Sequence, residues 1–225
     1  MGYYIDLEAI SLDSYKTKLE TAYLPPSRMM LKNRRDERFG HFTKMGITNV
    51  KELLQLLKKK EQFNELSKIE CLSGDYLTIL LRELKSTLPK PNRIKEFSGI
   101  SSDTVTKLEK LGITNTLKLF DRVLDTIRRK ELANETGIEE SVILELTKLT
   151  DLSRIKWVGV TFARMLYDLG IDTVEKASKA NPVELHNRLN QFNKEKNIFK
   201  GQIGLNDTRI FVDIANEVPL DIKYE

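Results

Sequence analysis

The chain has 225 residues, 40% hydrophobic and 31% charged, which suits a folded protein with a substantial core and excludes intrinsic disorder. A formal net charge of +4 is only mildly basic, so affinity for a polyanion has to come from local clustering. A single cysteine, Cys71, excludes an internal disulfide and a cysteine-rich zinc site, and suits a reducing compartment.

Residues 1–27 are expected to form a helical lead-in. Asp6 and Glu8 interrupt the apolar positions between Met1 and Leu12, which argues against a signal peptide. No apolar run approaches the roughly 18 residues of a membrane span, so the expectation is a cytoplasmic protein without a membrane partner. Pro25-Pro26 and Pro89-Lys90-Pro91 then bracket a stretch whose apolar residues recur at helical spacing, as in Leu53, Leu54, Leu56 and Leu57 or Leu77, Leu80, Leu81 and Leu84. Strand-like alternation is missing, and the expected class is all-α with negligible strand.

Three glycine phrases punctuate the helices: Gly46-Ile47-Thr48-Asn49, Gly112-Ile113-Thr114-Asn115 and Gly170-Ile171-Asp172-Thr173. Each follows an apolar residue that closes a helical pattern. Glycine there stops one helix in the left-handed conformation, and the Thr, Asn or Asp behind it caps the next. An offset of 66 residues relates Gly46 to Gly112, and also Leu31 to Phe97, Phe42 to Leu108, Leu53 to Leu119, Leu66 to Leu132 and Leu72 to Ile138. So many matches without a gap indicate a tandem duplication. The third copy follows the second by 58 residues and aligns Ile155, Leu166 and Leu169 with Phe97, Leu108 and Leu111. The expected organisation is a lead-in at 1–27, a basic repeat at 28–93, a second repeat at 94–152, and a third repeat with a helical tail at 153–225. In that tail Asn181-Pro182 reads as an N-cap and first helical residue, opening a helix around Pro182 to Asn193.

The segment before each glycine phrase bears on function. Ile155-Lys156-Trp157-Val158-Gly159-Val160-Thr161-Phe162-Ala163 and Phe97-Ser98-Gly99-Ile100-Ser101-Ser102-Asp103-Thr104-Val105 resemble the helix-hairpin-helix motif. That hairpin runs hydrophobic, two residues, Gly-hydrophobic-Gly, with alanine four residues after the second glycine. Copy three keeps the second glycine (Gly159) and the alanine (Ala163), with Trp157 in the first glycine's place. Copy two keeps Gly99 and has Ser101 for the second glycine, and copy one has Asn33 and Arg35 for the two. Cys71-Leu72-Ser73 and Gly137-Ile138-Glu139 are further hairpin-like turns, about five units in all. Almost the whole chain also resembles a DUF4332-like family of uncharacterised bacterial proteins with helix-hairpin-helix repeats. The likeness runs through Tyr3-Tyr4-Ile5-Asp6-Leu7, Leu24-Pro25-Pro26-Ser27-Arg28, the stretch from Leu146 to Trp157, and Ile203-Gly204-Leu205-Asn206-Asp207. It implies a tandem helix-hairpin-helix fold and no activity.

The motif implies a grip on the backbone of duplex DNA. Its helix N-terminus presents unpaired N–H groups and the positive dipole end to a phosphate, and such contacts position rather than specify. The candidate residues are Gly99 and Ser101 in copy two, and Lys156, Gly159, Thr161 and Arg164 in copy three. Arg34, Arg35 and Arg38 lie where copy one presents its hairpin. They belong to a segment from Arg28 to Lys60 with ten Lys/Arg against three acids, a local balance of +7, read either as a phosphate patch or as a solvated face.

Other residue types carry less. A lone tryptophan among helical apolar positions is expected in the core, and Cys71 as a buried, inert thiol. His41 and His186 lack companion ligands, so no metal is expected. Gly201-Gln202-Ile203-Gly204 has neither the Lys-Ser/Thr nor the preceding strand of a phosphate loop, and Glu139-Glu140 suit a helix N-terminus better than acid–base work. No catalytic residue and no cofactor is expected. The functional expectation is a non-catalytic helix-hairpin-helix protein that binds nucleic acid without sequence specificity. The alternative is a protein–protein scaffold whose hairpins have become packing elements.

Overall fold

The computed structural model describes residues 2–225 and is all-helical. Among the described residues no β-strand forms, only isolated antiparallel bridges between Ser11 and Asn49 and between Arg93 and Asn115. Among the described residues no helix is long and apolar enough to cross a membrane. The chain divides into two compact units, residues 5–88 on one side and residues 2–4 with 89–225 on the other. The lead-in is thus shared between the units, and the second and third copies lie in the same unit.

In the unit of residues 5–88, Ser11 caps α1 (Leu12–Thr21), its hydroxyl accepting from the Ser14 N–H. A 3-10 turn (Pro26–Lys32) leads to α2 (Arg35–Lys44). Gly46, at φ +81°, stops that helix, and the Asn49 side chain caps α3 (Val50–Lys58) by accepting from the Glu52 N–H. α4 (Lys60–Leu66), a 3-10 turn (Glu70–Leu72) and α5 (Gly74–Ser86) complete the unit. Its core gathers Leu31, Phe39 and Phe42 with Val50, Leu53, Leu54 and Leu57 and the α5 stripe Tyr76, Leu77, Leu80 and Leu84. Each fully buried leucine contributes about 1.5–3 kcal/mol, so this stripe rather than intrinsic helix propensity holds the short helices in place. Cys71 is buried beside it, and burial pushes its thiol up from the ordinary value.

The second unit begins with a 3-10 turn (Ile94–Glu96) and continues through α6 (Ser102–Lys110), α7 (Thr116–Phe120), α8 (Thr126–Thr136) and α9 (Glu140–Leu152). α10 (Val160–Asp168), α11 (Val174–Ser178), α12 (Pro182–Lys196) and α13 (Leu205–Ala215) follow. Asn115 and Thr173 cap α7 and α11 as Asn49 caps α3, and Asn181 caps α12 through the N–H groups of Val183 and Glu184. A shift of 66 residues carries both ends of α5 onto those of α9, and the starts of α3 and α4 onto those of α7 and α8. The shift fails ahead of the first glycine phrase. Asn49 bridges to Ser11 but Asn115 to Arg93, because α1 and a longer 3-10 turn intervene between bridge and hairpin in the first unit only.

α9 ends on a buried polar network. The Arg154 side chain is fully buried, with one guanidinium nitrogen 3.1 Å from Asp151 Oδ1 and another 2.9 Å from Asp221 Oδ2. Its Nε donates to the Tyr3 carbonyl at 3.3 Å, and the guanidinium lies 4.8 Å from the centre of the Phe120 ring. Asp151 Oδ2 accepts from the Val174 N–H at 2.9 Å and from the Tyr224 hydroxyl at 3.0 Å. Burial pushes the Asp151 carboxyl up, while the Val174 N–H and the Arg154 guanidinium pull it back. Through this network residues 2–4 and the tail around Asp221 and Tyr224 are tied to the end of α9.

Candidate nucleic-acid interface

The third hairpin is built around its least exposed residues. Ile155 and Val158 face the core, and between them the backbone turns through a left-handed residue. In the second copy that residue is Gly99 (φ +87°), and in the third it is Trp157 (φ +68°). A bulky residue in this region is a steric outlier costing about 1–3 kcal/mol. The expectation that Trp157 is a core residue is overturned, for it is 46% exposed. Ile155 and Val158 take the inward positions, so the residue at the left-handed tip is carried outward. Lys156 is itself mostly buried, and its ammonium lies 4.2 Å from the centre of the Trp157 ring. Trp157→Gly is expected to leave stability unchanged or raise it by about 1 kcal/mol in thermal unfolding, because glycine relieves the strain. A loss larger than that would mean that the ring's contacts outweigh it.

Gly159 precedes α10 in an extended conformation, with no side-chain cap on the helix. The first intrahelical bond is from the Ala163 N–H to the Gly159 carbonyl at 2.9 Å, which leaves the amides of Val160, Thr161 and Phe162 as the helix's open donors. Gly159 and Thr161 are exposed, and a Cβ added at Gly159 would meet no atom within 4 Å. The tight helix crossing that a packing role would place at Gly159 is therefore absent.

The other candidates are engaged differently. Ser101 is the N-cap of α6, its hydroxyl accepting from the Thr104 N–H at 3.1 Å, so a side chain of the chain itself occupies that helix end. Gly99 lies against Arg164, since a Cβ built on it would sit 3.5 Å from a guanidinium nitrogen. Arg164 donates to Glu145 at 2.6 Å and lies 3.7 Å from Asp168. Thus Gly99, Thr161 and Arg164 come together, and Ser98, Thr161 and Arg164 border one recess.

Arg34, Arg35 and Arg38 belong to the unit of residues 5–88. Arg38 is buried: Nε donates to the Cys71 carbonyl at 2.7 Å, and Nη1 to the carbonyls of Asn33 at 2.8 Å and Met30 at 3.1 Å. Its guanidinium stacks 3.8 Å from the Tyr76 ring centre. Arg34, left-handed at φ +49°, pairs with Glu37 at 2.6 Å and holds that carboxyl below its ordinary value. Arg35 reaches Glu20 at 3.1 Å. The left-handed residue of this hairpin is Arg34, one position later than the 66-residue register places it.

Sequence reasoning missed Glu145 and Asp168, which neutralise Arg164, and Phe192 and Lys196 of α12, which line the recess beside it. Glu145, Phe192 and Lys196 reach α10 only through the tertiary fold, whereas Asp168 lies on α10 itself and its i,i+4 spacing from Arg164 is readable in the sequence. A family model described as domain of unknown function (DUF4332) matches residues 98–216, a span that includes both Gly99 and Gly159. No curated protein and no solved structure matches the chain.

Proposed function

The chain belongs to the family of the domain of unknown function (DUF4332), and from that premise we propose a non-catalytic protein of helix-hairpin-helix repeats that binds nucleic acid through its backbone. The third hairpin is the binding element. The observation that carries this reading is an exposed tryptophan held in a strained left-handed turn directly before an uncapped, unobstructed helix end. Strain of this kind clusters at ligand-binding and active sites. The open amides of α10 suit a phosphate, and the Trp157 ring, with the Lys156 ammonium against it, suits an adjoining sugar or base. Binding of this type is sequence-independent and falls steeply with salt.

A second reading, the protein–protein scaffold, is favoured by the first two hairpins, where Ser101 caps its own helix and Arg38 is buried within its unit. One substitution separates the two. Gly159→Asp adds a cap and a favourable dipole contact, so stability should rise or stay within about 1 kcal/mol of the parent. The same carboxylate occupies the phosphate position and should weaken nucleic-acid binding by roughly ten-fold or more. Fluorescence anisotropy with labelled duplex DNA, single-stranded DNA and RNA at low and moderate salt measures the affinity, and thermal unfolding the stability. A parent protein that binds none of them at low salt would overturn the proposal in favour of the scaffold.

A further inference from the structure

A recess of about 360 Å3 opens beside the first turn of α10. Its walls come from three places: Glu96 and Ser98 ahead of the second hairpin, Thr161 and Arg164 on α10, and Phe192 and Lys196 near the end of α12. Three features limit what fits. The volume lies at the small end of ligand pockets, with room for one nucleoside and not for a base pair. Glu96 and Asp168 balance Arg164 and Lys196, so the recess itself does not select an anion. Val160, Met165, Phe192 and Ile198 supply an apolar surface. A flat, neutral ring with both donors and acceptors on its edge meets all three conditions. Phe192 offers a stacking surface, Glu96 and Asp168 accept from an exocyclic amine, and Lys196 donates to a ring carbonyl or nitrogen.

Val160 and Thr161 line this recess and also belong to the open first turn of α10, so a phosphate on the helix end and a ring in the recess would be neighbours. We propose that the recess takes one unstacked nucleobase, and that the nucleic acid bound here is a single strand or an unpaired strand end. This rests on the backbone-binding reading and narrows it, since a base inside a duplex cannot enter.

The test compares a fluorescein-labelled 15-nucleotide single strand with a blunt 15-base-pair duplex by anisotropy at low salt. The parent should prefer the single strand by about ten-fold, the scale of one base stacked on an aromatic ring. Phe192→Ala should remove most of that preference. Phe192 is half-buried, so Ser98→Trp is the companion variant: Ser98 is exposed, and the larger side chain fills the recess from its rim without entering the core. It should abolish the preference while duplex affinity stays within two-fold of the parent. Equal affinity for both probes, or a single-strand preference that survives Ser98→Trp, overturns the base-binding recess and leaves the backbone-binding reading intact. Binding of neither probe overturns that reading, and the recess proposal with it.

Discussion

Replacing Arg154 with leucine is expected to lower the melting temperature by roughly 6–20 °C. The guanidinium is fully buried between Asp151 and Asp221 and also donates to the Tyr3 carbonyl. Removing one partner of a buried ion pair leaves the other charge desolvated and uncompensated, which costs about 3–5 kcal/mol, and each kcal/mol is worth about 2–4 °C in a chain of this length. Two milder variants check the cause. Tyr224→Phe removes a single hydrogen bond to Asp151 and should cost about 1 kcal/mol. Arg154→Leu combined with Asp151→Asn should recover part of the loss, because one of the two stranded carboxylates is gone. An Arg154→Leu protein that melts within 2 °C of the parent, followed by circular dichroism at 222 nm, would show that the network does not hold the two chain ends in place.

Arg38→Ala is expected to destabilise the unit of residues 5–88 by about 3–5 kcal/mol while leaving nucleic-acid affinity per folded molecule unchanged. The carbonyls of Asn33 and Cys71 lose their donor at once, that of Met30 keeps only the Asn33 N–H, and Tyr76 loses its stacking partner. Buried acceptors left without a donor cost about 1–3 kcal/mol each, less what water regains. Arg38→Lys should not rescue the loss, since an ammonium cannot span three carbonyls and lie flat on the Tyr76 ring. Urea unfolding gives the stability and anisotropy the affinity. A stable Arg38→Ala protein with weakened nucleic-acid binding would return the basic segment to the interface.

The contrast between Arg38 and Trp157 shows what can be read from a sequence of this kind. Residue type and neighbourhood put a cation in a basic run at the surface and a lone aromatic among apolar positions in the core. The structure reverses both. Arg38 finds inward acceptors in carbonyls on either side of its hairpin and a ring on α5, and none of these is visible in its local sequence. Trp157 occupies the left-handed tip of a turn whose core positions belong to Ile155 and Val158. By contrast, the glycine phrases and their caps are legible, because a left-handed stop at Gly46, Gly112 or Gly170 and a side chain accepting from an N–H three residues ahead are local events.

The sequence by itself determined the all-α class, the turn chemistry and the 66-residue correspondence of α3, α4 and α5 with α7, α8 and α9. Those features depend on interactions within a few residues and on the period of the apolar positions, which survive translation along the chain. Only the tertiary structure decided which cations are buried, which helix end stays open and which residues border the recess. Arg38, Arg154 and Arg164 look alike as letters, but their roles depend on acceptors that other elements bring to them: Cys71 to the first, Asp221 and Tyr3 to the second, Glu145 to the third. A buried charge is stable only where such partners converge, and that convergence is a property of the packed helices rather than of any one segment.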